Sequence, residues 1–336
     1  MIRLRTMTGI AIFLLLLLPS AFVAPLRGQT ETPPNGDATI AVVSPATSGV
    51  QETAAPTANP VSLRWKFRPG DRFEVTASQT ARQSVPIGGM LFEIPLTIGF
   101  EASWTVDEVD ADGVATVTQT LTRLTFTAKS PFLGEVKADT AGEKPAEDPH
   151  GLDGKLRSAV GLKTTFRASP DGRTTAFRQL DPLPEGLQAD AALQVFEPKQ
   201  LEDLIGRGVV LPDKEVAPGE TWTNRYEMPF ADVGRLVQDF TFTYGGSREE
   251  AGESLEKIDF RADLSLVPNA VGEGAATFAL RDSKLTGSAL FDAARGHLVS
   301  VSIRTSLTVA SEFEGMVTDS KSSVEGSTTI RRTETP

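Results

Sequence analysis

The 336-residue sequence contains no cysteine. That absence excludes disulfides, thiol nucleophiles, cysteine-based zinc sites and lipid attachment through an N-terminal cysteine. Histidine is almost missing as well. His150 and His297 are the only imidazoles, which nearly excludes histidine-based triads and multi-histidine metal sites. Basic residues are in deficit, with 33 Lys and Arg against 44 Asp and Glu and a formal charge of −11. An excess of that sign repels phosphate backbones and anionic lipid heads, so nucleic acid is not an expected partner. No glycine-rich phosphate loop, nucleophile elbow or zinc-ligating helix motif occurs, and no cofactor is implied. What is there, 40% hydrophobic and 23% charged residues, is the composition of a folded chain, long enough for two ordinary domains or one large sheet protein.

Arg3 and Arg5 precede an apolar run from Ile10 to Leu18, followed by Pro19 and the small residues Ser20 and Ala21. That order is an export signal. Pro19 breaks the run short of the roughly 20 apolar residues that a membrane span needs, so cleavage is expected rather than anchoring. Residues 1–28 are the expected signal peptide, with Ala21, Ala24 or Gly28 before the cut. Their removal takes away three arginines and no acid, leaves the chain at −14, and leaves no stable membrane span. The exported protein is expected in the periplasm, the cell envelope or the extracellular space. Residues 29–60, rich in Thr, Pro and Ala, cannot bury enough apolar area to offset their ordering entropy and read as a disordered tether.

From Val61 the pattern has period two. Phe73, Val75 and Ala77 alternate with polar residues, as do Leu96, Ile98, Phe100, Ala102, Trp104 and Val106, then Phe240, Phe242 and Tyr244, and again Ile258 to Leu266 and Val299 to Val309. Half-buried strands alternate in this way, whereas buried parallel strands read as continuous apolar runs. The expected fold is mainly β, built from antiparallel sheets. Ser169-Pro170-Asp171-Gly172 predicts a hairpin turn, and Asp292 to Gly296 predicts a second one. The apolar parity shifts between Leu121 and Leu124, which predicts a bulge near Arg123.

Pro69-Gly70-Asp71-Arg72-Phe73 and Pro218-Gly219-Glu220-Thr221-Trp222 share a spelling and each opens a run of strands. Two β-rich halves related by duplication are therefore expected, at 61–185 and 212–331, with a tail at 332–336. A short helical connector at 186–211 joins them, with good helix formers over 186–206 and Gly206 and Gly208 to end it.

Candidate chemistry is sparse. Glu108, Asp110, Asp112 and Gly113 approximate the start of a calcium loop, but the twelfth position is Gln119 and the flanks are strands, so an acidic hairpin tip is the reading preferred here. Thr116, Thr118, Thr120 and Thr122 share one strand face, where threonine is an ordinary solvent-side residue. His297 follows a glycine turn with no serine motif or paired acid beside it in sequence. His150 lies in a stretch, Ala138 to Gly154, whose Pro, Glu, Asp and Gly content reads as an exposed loop. Trp65, Trp104 and Trp222 sit in or beside strands and are the candidate ligand-binding residues; core packing is the competing reading for each. No catalytic or metal-binding residue is assigned.

At Leu63, Trp65, Lys66, Phe67, Gly70, Asp71 and Phe73 the chain resembles a family of uncharacterised exported bacterial β-rich proteins. The likeness continues at Pro218, Gly219, Glu220 and Trp222, and at Phe291, Asp292, Gly296, Leu298 and Val299. It implies export and a β-rich fold, and brings no activity with it. The function expected is that of a non-catalytic envelope or secreted protein that binds an apolar or extended ligand on a curved sheet, its partner being a small apolar ligand or an envelope component. The alternatives are a structural or protein-interaction module of the envelope and a hydrolase using acidic residues.

Overall fold

In a computed structural model of the chain, residues 60–87, 90–130, 134–144, 151–182, 209–230, 234–269, 277–313 and 316–333 are described. The expected signal peptide, the tether up to its last residue, most of the connector, His150 and residues 334–336 lie outside them.

The period-two segments form twelve strands: β1 (Arg72–Ile87), β2 (Met90–Val109), β3 (Ala115–Ser130), β4 (Gly134–Asp139), β5 (Lys163–Ala168), β6 (Thr174–Gln179), β7 (Thr221–Phe230), β8 (Gly234–Glu250), β9 (Glu253–Pro268), β10 (Thr277–Asp292), β11 (His297–Phe313) and β12 (Met316–Thr333). All belong to one antiparallel sheet in the order β6-β5-β3-β2-β1-β12-β11-β10-β9-β8-β7, with β4 paired to β3. The mainly β, antiparallel expectation holds. Among the described residues there is one helix, α1 (Leu152–Ala159).

The chain enters the sheet in its middle at β1 and works outward to β6. It re-enters at the opposite edge with β7 and returns strand by strand until β12 pairs with β1, Arg72 facing Thr333. β6 and β7, the ends of this path, share no ladder. They are nevertheless brought together: Phe177 of β6 packs on the same core as Trp222 and Tyr226 of β7, and Arg173, just before β6, donates from Nη2 to Asn224 Oδ1 at 3.3 Å. The sheet therefore curls into an incompletely closed barrel, a shape that shelters edge strands otherwise open to pairing with other chains.

Both expected hairpins form. β5 pairs with β6 across a turn in which Gly172 has φ +84°, and β10 pairs with β11 across one in which Gly296 has φ +70°. The bulge is present too: Glu101 faces Arg123 and Ala102 faces Leu121, so Thr122 is the extra residue. The two Pro-Gly turns match closely. Gly70 N–H donates to Val106 O and Gly219 N–H to Tyr244 O, both at 2.8 Å, and Asp71 O and Glu220 O accept from the N–H groups of Val106 and Tyr244 in return. Away from these turns the halves differ in strand length, since β4, β5 and β6 are six residues each while β7 to β12 have ten or more.

Eight strands make a barrel that side chains alone can just fill, so an eleven-strand path needs filler or flattening. At the end that carries the Pro-Gly turns the filler is the chain itself. The strap around Leu63 and Trp65 and the segment Val209 to Val216 enter the core, joined by a two-bond bridge between Val61 and Val216. Trp65 N–H donates to Pro170 O, Lys66 N–H to Gly296 O and Leu211 N–H to Asp171 O, which ties the strap to both hairpin turns. Leu63 is 0% exposed. Val209 to Leu211, the end of the expected connector, carry no regular secondary structure and are buried.

Candidate ligand-binding interior

The three tryptophans lie in this plugged end, all within one apolar core. Trp65 stacks on Phe67 at 5.0 Å between centroids and meets Phe73 edge-on at 6.0 Å. Trp104 meets Phe166 edge-on at 5.4 Å and donates from Nε1 to Gln119 Oε1 at 2.8 Å. Trp222 stacks on Phe242 at 5.6 Å and donates from Nε1 to Val210 O at 2.7 Å. Each of these two indoles has its polar handle satisfied, as buried tryptophan requires. Beside them the Tyr244 hydroxyl donates to Glu256 Oε2 at 2.5 Å; burial first, and then that bond, push its pKa up to about 12.

Beyond the tryptophans the inward parity of the strands stays apolar. Ala81, Leu96 and Val324 form one buried cluster. Met228, Phe230, Leu236, Leu307 and Val309 form another. Polar residues interrupt this lining, Gln83, Gln238, Ser320 and Ser322 among them. Gln83 of β1 and Ser322 of β12 face each other in the ladder, both are buried, and among the described residues neither Gln83 Oε1 nor Ser322 Oγ has a hydrogen-bond partner. An unpaired buried acceptor or hydroxyl costs about 1–3 kcal/mol.

The two ends of the barrel differ in chemistry. At the plugged end the turns are acidic and self-satisfied: Asp110 Oδ1 accepts from Asp112 N–H at 3.1 Å and Val114 N–H at 2.9 Å, and Asp110 pairs with Arg167. At the other end large apolar side chains stand in the open, with Met90 63%, Leu91 66%, Val267 41% and Val317 54% exposed. Sequence reading found the inward parity but not this polarity between ends. The signal was there in the sequence: Gly88-Gly89 leads straight into Met90-Leu91 at the start of β2, whereas Asp110-Ala111-Asp112-Gly113 joins β2 to β3.

His297 is 4% exposed, with its ring 5.9 Å from Phe73 and 6.5 Å from Trp65. Burial pulls its pKa below the ordinary histidine range, against the pull of Asp292. A hydrolase that works with a pair of carboxyl groups needs one of them held protonated as general acid. The arrangement around Asp139 is the reverse, because the hydrogen bond from Arg123 holds its pKa down at about 2. The carboxylates nearest His297 are likewise tied to arginine, Asp292 and Glu253 both to Arg295.

No family model and no curated protein matches the chain. Among solved structures it is similar to one of lipid–protein interactions in lipovitellin, at 10% identity over 80% of this chain and 26% of that one, with a TM-score of 0.45. It thus spans about a quarter of the length of that protein. It is also similar to the COG4313 outer membrane channel from Pseudomonas putida, at 10% identity over 82% of this chain and 100% of that one, with a TM-score of 0.23. A third likeness is to a DUF1329 family protein from Desulfovibrio piger, at 9% identity over 76% and 85% of the two chains and a TM-score of 0.14. Likenesses this distant say nothing of ligand or activity.

Proposed function

We propose that this chain is an exported, non-catalytic binding protein that holds an apolar, extended ligand inside the curled sheet. The observation that supports this best is the contrast between its ends. An eleven-strand path needs filler; at one end the filler is the strap and the segment 209–216, while beyond it the inward residues form the apolar clusters around Ala81 and Met228 and the far end carries exposed Met90, Leu91, Val267 and Val317. A ligand entering from that end would remove apolar surface from water on both partners, worth roughly 25 cal/mol per Å² before the cost of association is subtracted. Trp65, Trp104 and Trp222 are the floor of the space, and Gln83 with Ser322 marks a polar rung partway along it. Export accords with Arg3 and Arg5 ahead of the apolar run from Ile10 to Leu18.

Mass spectrometry of the exported protein, purified from its own host and extracted with organic solvent, tests the reading. An apolar compound present in stoichiometric amount supports it. Protein that is free of such compounds and takes none up from a host lipid extract contradicts it, and leaves the apolar rim as a contact surface for an envelope partner.

A further inference from the structure

Along β2, β9 and β12 the outward parity is mostly polar, and the exception lies at one end of the sheet. There β1 turns into β2 with Ile87 facing Met90, β11 into β12 with Phe313 facing Met316, and β9 ends at Pro268 opposite Gly234. Leu91, Val267 and Val317 stand at this end on the outward parity of their strands, the face opposite to buried Leu96, Ala262 and Val324, and all three are exposed. Two residues further in, the same parity reads Glu93, Ser265 and Asp319, followed in β9 and β12 by Asp263 and Lys321. Met90, beside Leu91, has the inward parity and is exposed as well.

Apolar side chains on both faces of a strand end suit surroundings that are apolar on both sides of it, which a partner seated on one face does not supply. The four residues come from strands up to five steps apart in the order β2-β1-β12-β11-β10-β9, a span of roughly 24 Å at a strand spacing of about 4.8 Å. They are all aliphatic or thioether side chains. Protein interfaces concentrate aromatic residues and arginine at their centres, whereas a lipid surface asks only for apolar area, without direction. Just inside the rim both signs of charge are matched. Arg281 of β10 pairs with Asp319 at 3.6 Å, and Glu93 and Lys321 lie on one rung, on either side of Ser84.

We propose that this end of the sheet docks on a neutral lipid bilayer, with Met90, Leu91, Val267 and Val317 immersed in its outermost layer. Docking is shallow. Polar side chains return to the outward parity two residues in from the tips, about 7 Å along a strand, which is within the depth at which monotopic elements sit. Strands that crossed the bilayer would carry an outward apolar band about 25 Å tall, and Asp263, Asp319 and Lys321 stand where such a band would run. Anionic lipid is not called for, since a formal charge of −11 opposes a surface of the same sign. Docking of the rim needs no ligand in the interior, so it stands or falls separately from the proposed function.

The test is flotation of the whole exported chain with phosphatidylcholine vesicles through a density gradient. The parent is expected to float with the vesicles, in low and in high salt alike. Leu91→Glu should lower the partition coefficient by about tenfold or more, the loss of one immersed aliphatic side chain, and Leu91→Glu combined with Val317→Glu should leave the chain at the bottom. Leu180→Glu, which alters a 44% exposed leucine just after β6, should float as the parent does. Every variant replaces an exposed side chain, and circular dichroism should show the parent fold in each. The inference is overturned if the parent stays behind, if flotation requires phosphatidylglycerol, or if the double variant floats as well as the parent. It is overturned too if the tip substitutions instead dissociate a dimer in sedimentation velocity, which would assign the surface to a second copy of the chain.

Discussion

Gly70 and Gly219 hold φ of +87° and +89°, and no atom lies within 4 Å of where a Cβ would stand on either. A side chain at these positions would meet space but not a comfortable backbone. The left-handed conformation costs an L-residue about 1–2 kcal/mol, partly offset by the lower entropy of its unfolded chain. Gly70→Ala and Gly219→Ala should therefore each lose about 1 kcal/mol in urea unfolding. Gly287 poses the opposite problem. A Cβ there would sit 2.3 Å from the Phe260 ring and 2.4 Å from Ser302 O, so Gly287→Ala should lose more than either turn variant, on the order of 3 kcal/mol as an overpacked core does. Equal losses in all three would refute this division between strain and crowding. The two turn glycines were legible in sequence because proline precedes each. Gly287 was not, since what forbids a side chain there is a ring and a carbonyl on neighbouring strands.

At the scale of elements, the shift of apolar parity in β3 was enough to place the bulge beside Arg123. What the bulge does came only from tertiary contacts. It carries Arg123 to Glu101 on one neighbour, at 3.0 Å, and to Asp139 of β4 on the other, at 2.7 Å. Asp139, at about 2 in the folded state, lies below the 3.9 of an unfolded aspartate. A depressed carboxyl contributes stability that is present above the unfolded value and lost as pH falls through the folded one. Arg123→Gln should therefore be less stable than the parent at pH 7, with the gap closing as pH falls from about 4 towards 2. A gap that stays constant over that range would mean that Arg123 acts by packing alone. The segment read as loop from Ala138 to Gly154 held more order than its composition suggested: β4 ends at Asp139 and α1 begins at Leu152. α1 is too short to stand on propensity. Leu156 and Ala159 pack beneath it on Leu121 and Leu124, and Arg157 donates to the carbonyls of Asp139, Thr140 and Gly142. None of these partners could be found from local pattern.

For the whole molecule, the feature that sequence could not reveal is the pairing of the first strand with the last. Alternation tells which way Phe73 and Ile330 point, but not that β1 and β12, at opposite ends of the described chain, lie side by side with Phe73 facing Arg332. Such pairing joins residues about as far apart as the chain permits, where loop-closure entropy must be overcome before contacts form. The curl of the sheet sets the buried clusters around Ala81 and Met228 beyond the plugged end, and the proposed function rests on that arrangement. The candidate tryptophans were found from sequence as strand residues. Their meeting in one core with Leu63 follows from the curl of the sheet. The most direct measurement is an equilibrium titration of the exported chain with a dansylated long-chain fatty acid, read by emission wavelength and intensity. An interior of this kind predicts saturable, blue-shifted emission at about one probe per chain, displaced by an unlabelled apolar competitor. A linear, unsaturable signal, or none, would contradict it.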